Sequence, residues 1–179
     1  MIVFDLVIVT VTSLTVFFDL RVRRIPNWLI LFGLGAGLIL NLYRGTSQFS
    51  YSAMGFLAGI GIFLVPFALG WLGAGDVKYC GVIGALLGVK WLPRILFYSA
   101  MAAGIIAIGA VLIGRCRRGF LKSAWIEYKI AALSFGRILP ETVSMRVARG
   151  EYSLPWGVAL SIGTMLAYFV DPVGYWAGF

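Results

Sequence analysis

Six apolar stretches dominate this sequence, and each is long enough, or nearly so, to cross a lipid bilayer as a helix. A spanning helix needs roughly 17–25 mostly apolar residues. With 61% hydrophobic and only 12% charged residues among 179, the chain has more apolar side chain than a soluble domain of this size can bury. The sequence therefore predicts an all-α, polytopic membrane protein, a single domain over residues 1–179. Its six predicted spans are Met1–Phe18, Trp28–Tyr43, Ser52–Leu72, Tyr79–Leu92, Ile95–Gly114 and Ser153–Val170.

The distribution of positive charge predicts which way the chain crosses the membrane. There are 15 Lys and Arg residues against 7 Asp and Glu residues, a net charge of +8. Cytoplasmic loops retain Lys and Arg, which is the positive-inside rule. If Met1 lies outside, 12 of the 15 basic residues face the cytoplasm, and only Arg44, Lys90 and Arg94 face out. We therefore expect both termini outside, and we interpret the charge as a topology signal and not as a nucleic-acid surface.

A basic stretch over residues 115–152 is too charged to span the bilayer. Drawn as a helix, it places apolar residues such as Phe120 and Trp125 on one face and polar residues such as Lys122 and Lys129 on the other. This pattern predicts a cytoplasmic amphipathic segment that lies on the anionic inner leaflet. A solvated loop whose charge only sets the topology is the alternative interpretation.

The absence of histidine excludes several kinds of active site. With no His among its residues, the chain cannot form a Ser-His-Asp triad or an HExxH zinc site. The two cysteines, Cys80 and Cys116, lie far apart with no CxxC pair, which argues against a zinc site or a disulfide framework. We therefore expect neither a metal nor a cofactor.

Acidic residues within or beside a membrane span are costly, so they are candidates for function. Asp5 and Asp171 lie toward the outer ends of the first and last predicted spans. Asp19 and Asp76 lie at the cytoplasmic ends of the first and fourth spans, and so at the same depth on the same side. The remaining acids sit in the basic stretch, where a solvated or lysine-paired role is expected: Glu127, Glu141 and Glu151.

Two carboxylates in one partly desolvated site cannot easily both ionise, so they share a proton. One of them can then act as general base on a water molecule while its protonated partner polarises a carbonyl group. Asp19 and Asp76 would thus supply the two groups that peptide hydrolysis needs at a minimum, a general base and a general acid. Helix capping, or an ion pair with the basic run Arg21–Arg24, is the structural alternative.

The residues around the two aspartates form short motifs with structural explanations of their own. Gly73 and Gly75 precede Asp76, where glycines allow a close backbone approach or a strained turn, and Asp76 itself could cap a helix. Pro26 breaks the chain before the second span, and Asn27 could cap that helix. Lys78 follows Asp76 by two residues, and a cation there would lower the pKa of the carboxyl group.

In combination, these motifs resemble those of the type IV prepilin peptidases. The run from Asp19 to Pro26 and Asn27 is similar to their D-x(6)-P-N element, and Gly73 to Lys78 is similar to their G-x-G-D-x-K element. The opening of the last span is similar to their Pro-x-Gly-x-Ala element, through Pro155, Gly157 and Ala159. The order and spacing of the three elements agree with the family across essentially the whole chain.

The resemblance implies a GxGD-type membrane aspartic protease of the bacterial inner membrane. Asp19 and Asp76 would be its catalytic pair, and it would remove prepilin leader peptides at the cytoplasmic membrane edge. The size of the chain is similar to that of the short peptidases of Flp-type, or tight-adherence, pilus systems. The larger members carry a cytoplasmic insertion with paired cysteines and an N-methyltransferase activity. The first inner loop here, about Asp19–Asn27, has no cysteine, so methyl transfer is not expected.

Two other classes of function remain open from the sequence. A transport or channel subunit could use the aspartates for cation or proton passage, although such sites favour mid-membrane positions and all acids here lie near membrane edges. A non-catalytic scaffold for pilus or secretion assembly is the second alternative. The expected partners are prepilin leader peptides and membrane lipid.

The topology can be tested by labelling single-cysteine variants with a membrane-impermeant thiol reagent. We predict that a cysteine placed near position 120 is protected from reagent added outside intact cells, because the basic stretch faces the cytoplasm. Labelling of that cysteine from outside would overturn the orientation and the placement of both aspartates on one side.

Overall fold

The computed structural model describes residues 2–68, 72–112 and 156–173, and these residues form helices without a strand. A 3₁₀ turn over Val89–Trp91 precedes the fifth helix, and a π-helical turn over Leu166–Val170 continues the sixth. The basic stretch 115–152, Cys116 and Pro155 lie outside the described residues. The prediction of an all-α protein is confirmed. The helices are α1 (Ile2–Val22), α2 (Asn27–Tyr43), α3 (Thr46–Ala68), α4 (Ala74–Leu87), α5 (Leu92–Leu112) and α6 (Trp156–Met165).

The outer helices have the length and surface of membrane segments. Three helical stretches are long and apolar enough to cross a bilayer: Ile2–Val22, Thr46–Ala68 and Val89–Gly109. Two shorter apolar stretches, Asn27–Tyr43 and Trp156–Val170, accompany them. Large apolar side chains point outward along these helices, as lipid-facing side chains do. Examples of them are Leu6, Leu31, Leu57 and Ile105. The chain is a membrane protein, as the sequence predicted.

Helix α4 is the centre of the bundle. It is only 14 residues long, and almost every residue from Val77 to Leu86 is buried. Helices α2, α3 and α6 pack around it. An apolar helix enclosed on all sides in this way has little amphipathic pattern, which explains why hydropathy located it poorly.

The predicted boundaries of the fourth span were wrong by about five residues at each end. The sequence predicted Tyr79–Leu92, whereas α4 runs from Ala74 to Leu87. Its first turn is polar, and Gly88 ends it with a φ of +87°, a left-handed conformation that favours glycine. Helix α1 also continues past the predicted end at Phe18 to Val22. Both differences have the same consequence, because they place Asp19 and Asp76 inside the terminal turns of helices.

Small residues let α4 pack closely against its neighbours. A Cβ atom at Gly55 of α3 would overlap the carbonyl group of Gly84, and one at Gly59 would lie 2.6 Å from the carbonyl oxygen of Cys80. Close packing of this kind is the main source of helix association in lipid, where apolar burial alone gives little. Asn41 adds a polar tie, since its Nδ2 lies 3.1 Å from the carbonyl oxygen of Ala85 on α4.

The connections bring three helix ends to one side of the bundle. The C-terminal turn of α1, which carries Asp19, lies at the same side as the first turns of α4 and α6. Helix α6 packs against both α1 and α5, while α4 is held by α2 and α3. The packing of the bundle therefore sets the position of any group carried on these three ends.

Gly55→Ala tests the contact between α3 and α4. We expect a loss of about 1–3 kcal/mol in the free energy of unfolding, because the new methyl group overlaps the backbone of Gly84 and the helices must separate. Denaturation of the purified protein in detergent measures it. Gly61→Ala on the same helix is the matched control, since a Cβ there meets nothing within 4 Å. Equal stability of the two variants would contradict the packing described.

Candidate active site

Asp19 lies in the last turn of α1 and is buried, with 8% of its surface exposed. The backbone N–H of Val158 donates a hydrogen bond to its Oδ2 atom, at 3.0 Å. Helix α6 begins at Trp156, so this N–H belongs to a first turn whose donors have no partner within the helix. The carboxylate supplies that partner, and the positive end of the α6 dipole stabilises its negative charge. The end of α1 is thereby tied to the start of α6.

Gly157 makes this contact possible. A Cβ atom at position 157 would lie 2.8 Å from Oδ2 of Asp19 and 3.0 Å from its Cγ. A side chain there would displace the carboxylate from the N–H of Val158. The structure thus explains why the Pro-x-Gly-x-Ala element has a glycine at position 157. It also shows that this element lies next to Asp19, the aspartate of the D-x(6)-P-N element.

Asp76 is the third residue of α4, and its side chain is partly buried. Its Oδ2 accepts a hydrogen bond from the backbone N–H of Gly73, at 3.2 Å. The suggestion that Asp76 is itself the N-cap was wrong: Gly73 occupies the cap position, and the carboxylate reaches back to it. Burial, and secondarily the charge of Asp19, raise the pKa of Asp76 to about 6. The two carboxyl groups thus lie close enough to influence each other.

The two glycines before Asp76 do not adopt a strained turn. Gly73 is extended, with φ −78° and ψ 151°, and Gly75 is helical. A Cβ at Gly73 would lie 3.3 Å from Oδ2 of Asp76, which is a tight contact, whereas one at Gly75 would meet Ile25 at an ordinary 3.6 Å. Close approach to the carboxylate therefore accounts for the first glycine, and nothing in the structure requires the second.

Lys78 and Asn27 bind each other across the surface of the site. The Lys78 Nζ atom donates to Oδ1 of Asn27 at 3.2 Å, and both residues are exposed. Pro26 precedes α2 as expected, but the prediction that Asn27 caps this helix was wrong: Pro26 is the cap residue, and the Asn27 side chain faces Lys78. Burial and the charge of Asp19 raise the pKa of Asp76. The sequence predicted that Lys78 would lower this pKa. Instead, Lys78 binds Asn27 and so links α2 to α4.

The other two aspartates lie at the opposite end of the bundle and have tyrosine partners. Asp5, in the first turn of α1, accepts a hydrogen bond from the hydroxyl of Tyr168. Asp171 is buried and accepts one from Tyr98, at 2.9 Å. The structure therefore brings Asp19 and Asp76 together and keeps the other pair apart from them. The N–H of Val158 was not among the site groups predicted from the sequence, although Gly157 in the third motif is a signal for it.

The raised pKa of Asp76 makes the stability of the protein depend on pH. Between its ordinary value of 3.8 and about 6, the folded protein holds a proton that the unfolded chain has lost. We expect the contribution of Asp76 to the free energy of unfolding to be greatest below about pH 4 and to be lost as the pH rises through about 6, so the fall should be smaller in Asp76→Asn. Denaturation over this pH range measures it. An unchanged slope in Asp76→Asn would contradict the assignment.

Comparison with known proteins identifies a family whose model matches the part of the chain that carries both aspartates. Residues 6–108 match the type IV leader peptidase family, a range that includes both aspartates and the motifs around them. A prepilin leader peptidase/N-methyltransferase of Aeromonas salmonicida (strain A449) is 33% identical over 107 residues, which cover 54% of this chain and 36% of that protein. No solved structure matches.

Two further relatives carry the same name. That of Bacillus subtilis (strain 168) is 34% identical over 113 residues, covering 62% of this chain and 43% of the relative. That of Burkholderia pseudomallei (strain 1026b) is 29% identical over 109 residues, covering 55% and 34%. The chain thus spans about two fifths or less of the length of these curated relatives. Because the family match extends over more than half of the chain, this protein belongs to the type IV leader peptidase family.

Proposed function

We propose that this protein is a membrane aspartic endopeptidase that removes the leader peptide of prepilins at the cytoplasmic membrane edge. One observation carries the proposal: Asp19 and Asp76 come from helices far apart in the sequence, and the fold brings them to one side, partly or fully buried, where one charge raises the pKa of the other carboxyl group. Carboxyl pairs that share a proton in this way are the acid–base machinery of aspartic proteases. The family match and the names of the relatives support the choice of substrate.

The chemistry follows from a pair that holds one proton between two carboxyl groups. The ionised carboxylate takes a proton from a water molecule, whose oxygen attacks the scissile carbonyl carbon. The protonated partner keeps its proton and donates a hydrogen bond to the carbonyl oxygen, which stabilises the negative charge that develops there. When the tetrahedral intermediate collapses, the C–N bond breaks and the leaving nitrogen takes up a proton from the pair. The pair is then left with one proton, as at the start.

The position of the pair suits a substrate that is itself anchored in the membrane. Asp19 and Asp76 lie at helix ends, and the exposed Lys78–Asn27 contact marks the polar side of the site. A leader peptide reaching this edge from the cytoplasm would meet the pair without entering the apolar interior. We therefore place the site at the inner face of a bacterial cytoplasmic membrane, with both termini outside, and propose Flp-type prepilins as the substrates.

Methyl transfer is not part of the proposed activity, although the relatives are named for it. The loop between α1 and α2 is short, since α1 ends at Val22 and α2 begins at Asn27. It contains no cysteine. We propose the peptidase step alone, without a cofactor or a metal.

Asparagine substitutions test the catalytic pair. Asp19→Asn and Asp76→Asn should each abolish leader cleavage when the protein is co-expressed with a candidate prepilin, because asparagine keeps the shape but cannot accept or share a proton. Since the two groups act as one unit, the double variant should be no worse than either single variant. Gel mobility of the prepilin measures the result.

Asp5→Asn and Asp171→Asn are the matched controls, because these aspartates lie at the opposite end of the bundle. They should retain cleavage. Substantial cleavage by either Asp19→Asn or Asp76→Asn, in protein shown to be inserted at normal abundance, would overturn the two-aspartate mechanism and favour a scaffold or transport role.

The two motif glycines should respond differently to alanine. We expect Gly157→Ala to reduce cleavage at least about 100-fold, because its methyl group would force the Asp19 carboxylate away from Val158, and misplacement by about 1 Å has this cost. Gly75→Ala should stay within about threefold of wild type, since its methyl group makes only an ordinary contact with Ile25. Rates of leader removal in detergent compare them. An equal loss of cleavage rate in Gly157→Ala and Gly75→Ala would contradict the contacts described for these two glycines.

A further inference from the structure

A cluster of three hydroxyl groups lies buried beneath the aspartate pair. Tyr79 of α4 is fully buried, and its hydroxyl oxygen lies 2.8 Å from Oγ of Ser161 on α6. The hydroxyl of Thr15 on α1 lies near the same group. Thr15 and Ser161 are also buried. The bond between Tyr79 and Ser161 therefore joins α4 to α6 within the core, at a site that none of the sequence motifs includes.

The hydroxyl groups of the cluster have different hydrogen-bond partners. Thr15 donates its hydroxyl proton to the carbonyl oxygen of Val11 on its own helix, at 2.8 Å. Tyr79 and Ser161 share one hydrogen bond, which links α4 to α6.

Each member of the cluster lies one helical turn below a group of the site. Thr15 precedes Asp19 by four residues on α1, and Tyr79 follows Asp76 by three on α4. Ser161 follows Val158, whose N–H binds Asp19, by three on α6. Residues three or four apart share one face of a helix. The cluster therefore repeats the arrangement of the site one turn deeper in the bundle.

We propose that Tyr79 is a positioning residue, whose hydroxyl fixes α4 relative to α6 and, through the bond from the Val158 N–H of α6 to Asp19, sets the spacing of Asp19 and Asp76. The inference rests on the proposed peptidase function for its effect on catalysis. A hydrogen bond between helices has a narrow range of length and direction, so it restrains their relative position in addition to packing. A catalytic pair must be held within about 0.5 Å of its productive geometry. A hydrogen bond that restrains the helices carrying the pair would therefore serve catalysis.

The competing explanation is that Tyr79 only fills the core and contributes to stability. The chain offers a matched control, since Tyr98 also loses one buried hydroxyl contact on substitution by phenylalanine, but its partner Asp171 lies at the opposite end. Tyr79→Phe and Tyr98→Phe therefore make the same chemical change near the site and far from it. A purely structural role predicts that the two variants behave alike.

Kinetics of leader cleavage separate the explanations. We expect Tyr79→Phe to lower kcat about tenfold with KM within about twofold, because the pair is misplaced while the substrate still binds. Tyr98→Phe should keep kcat within about twofold. Ser161→Ala should lower kcat in the way Tyr79→Phe does, because it removes the other hydroxyl of the same bond. Equal kcat values for Tyr79→Phe and Tyr98→Phe would overturn the proposal.

A second measurement does not require cleavage activity. Infrared spectroscopy can follow the protonated carboxyl band of the pair during a pH titration, with Asp76→Asn identifying the band. Within the described part of the chain, the charge of Arg23 after α1 acts on Asp19, and Arg23 is present in every variant. Tyr79→Phe should shift the midpoint by about half a pH unit or more, and Tyr98→Phe should not.

The two measurements distinguish failure of the inference from failure of the proposed function. A wild-type protein that cleaves no prepilin would refute the proposed function, and the infrared midpoints would then decide the positioning role alone. Unchanged midpoints in Tyr79→Phe would overturn that role, whether or not the wild type is active.

Discussion

The cost of burying a carboxylate controls the architecture of this protein. A charged carboxyl group removed from water needs compensating donors or a proton. Asp19 obtains a donor from the free N–H of Val158 at the start of α6, and Asp76 obtains one from Gly73 at the start of its own helix. Helix ends are the only parts of an apolar bundle with spare backbone donors. The two acids are therefore buried where helices begin and end together.

The same requirement explains the shape of the bundle around the site. Helix α4 must be short and central so that its first turn reaches the end of α1, and the glycines of α3 allow this helix to be enclosed. Gly157 must lack a side chain because the carboxylate of Asp19 lies against it. The backbone donors compensate only part of the free-energy cost of burying a carboxylate. The uncompensated part raises the pKa of Asp76. A carboxyl group that holds its proton to about pH 6 can act as an acid in a proteolytic pair.

The sequence predicted the helical class, the membrane environment and the pairing of Asp19 with Asp76, because these depend on composition and on the few positions where acids occur. It did not predict the boundaries of α4, since a helix buried on all sides carries no amphipathic period. It also assigned Asn27 to a helix cap, whereas the side chain binds Lys78. Contacts between distant segments, such as Asn27 with Lys78 or Tyr79 with Ser161, depend on the packing of the bundle and leave no local signal.

Chemical cross-linking tests most directly whether the two aspartates share one site. The Asp19→Cys/Asp76→Cys variant, in a background without the native cysteines, would be treated in membranes with a bifunctional thiol reagent that spans only a few ångströms. We predict an intramolecular cross-link, which blocks later labelling of both thiols. The Asp5→Cys/Asp76→Cys variant joins opposite ends of the bundle and should form none. If the first variant fails to cross-link although both thiols react with a monofunctional reagent, or if both variants cross-link equally, the shared site is contradicted.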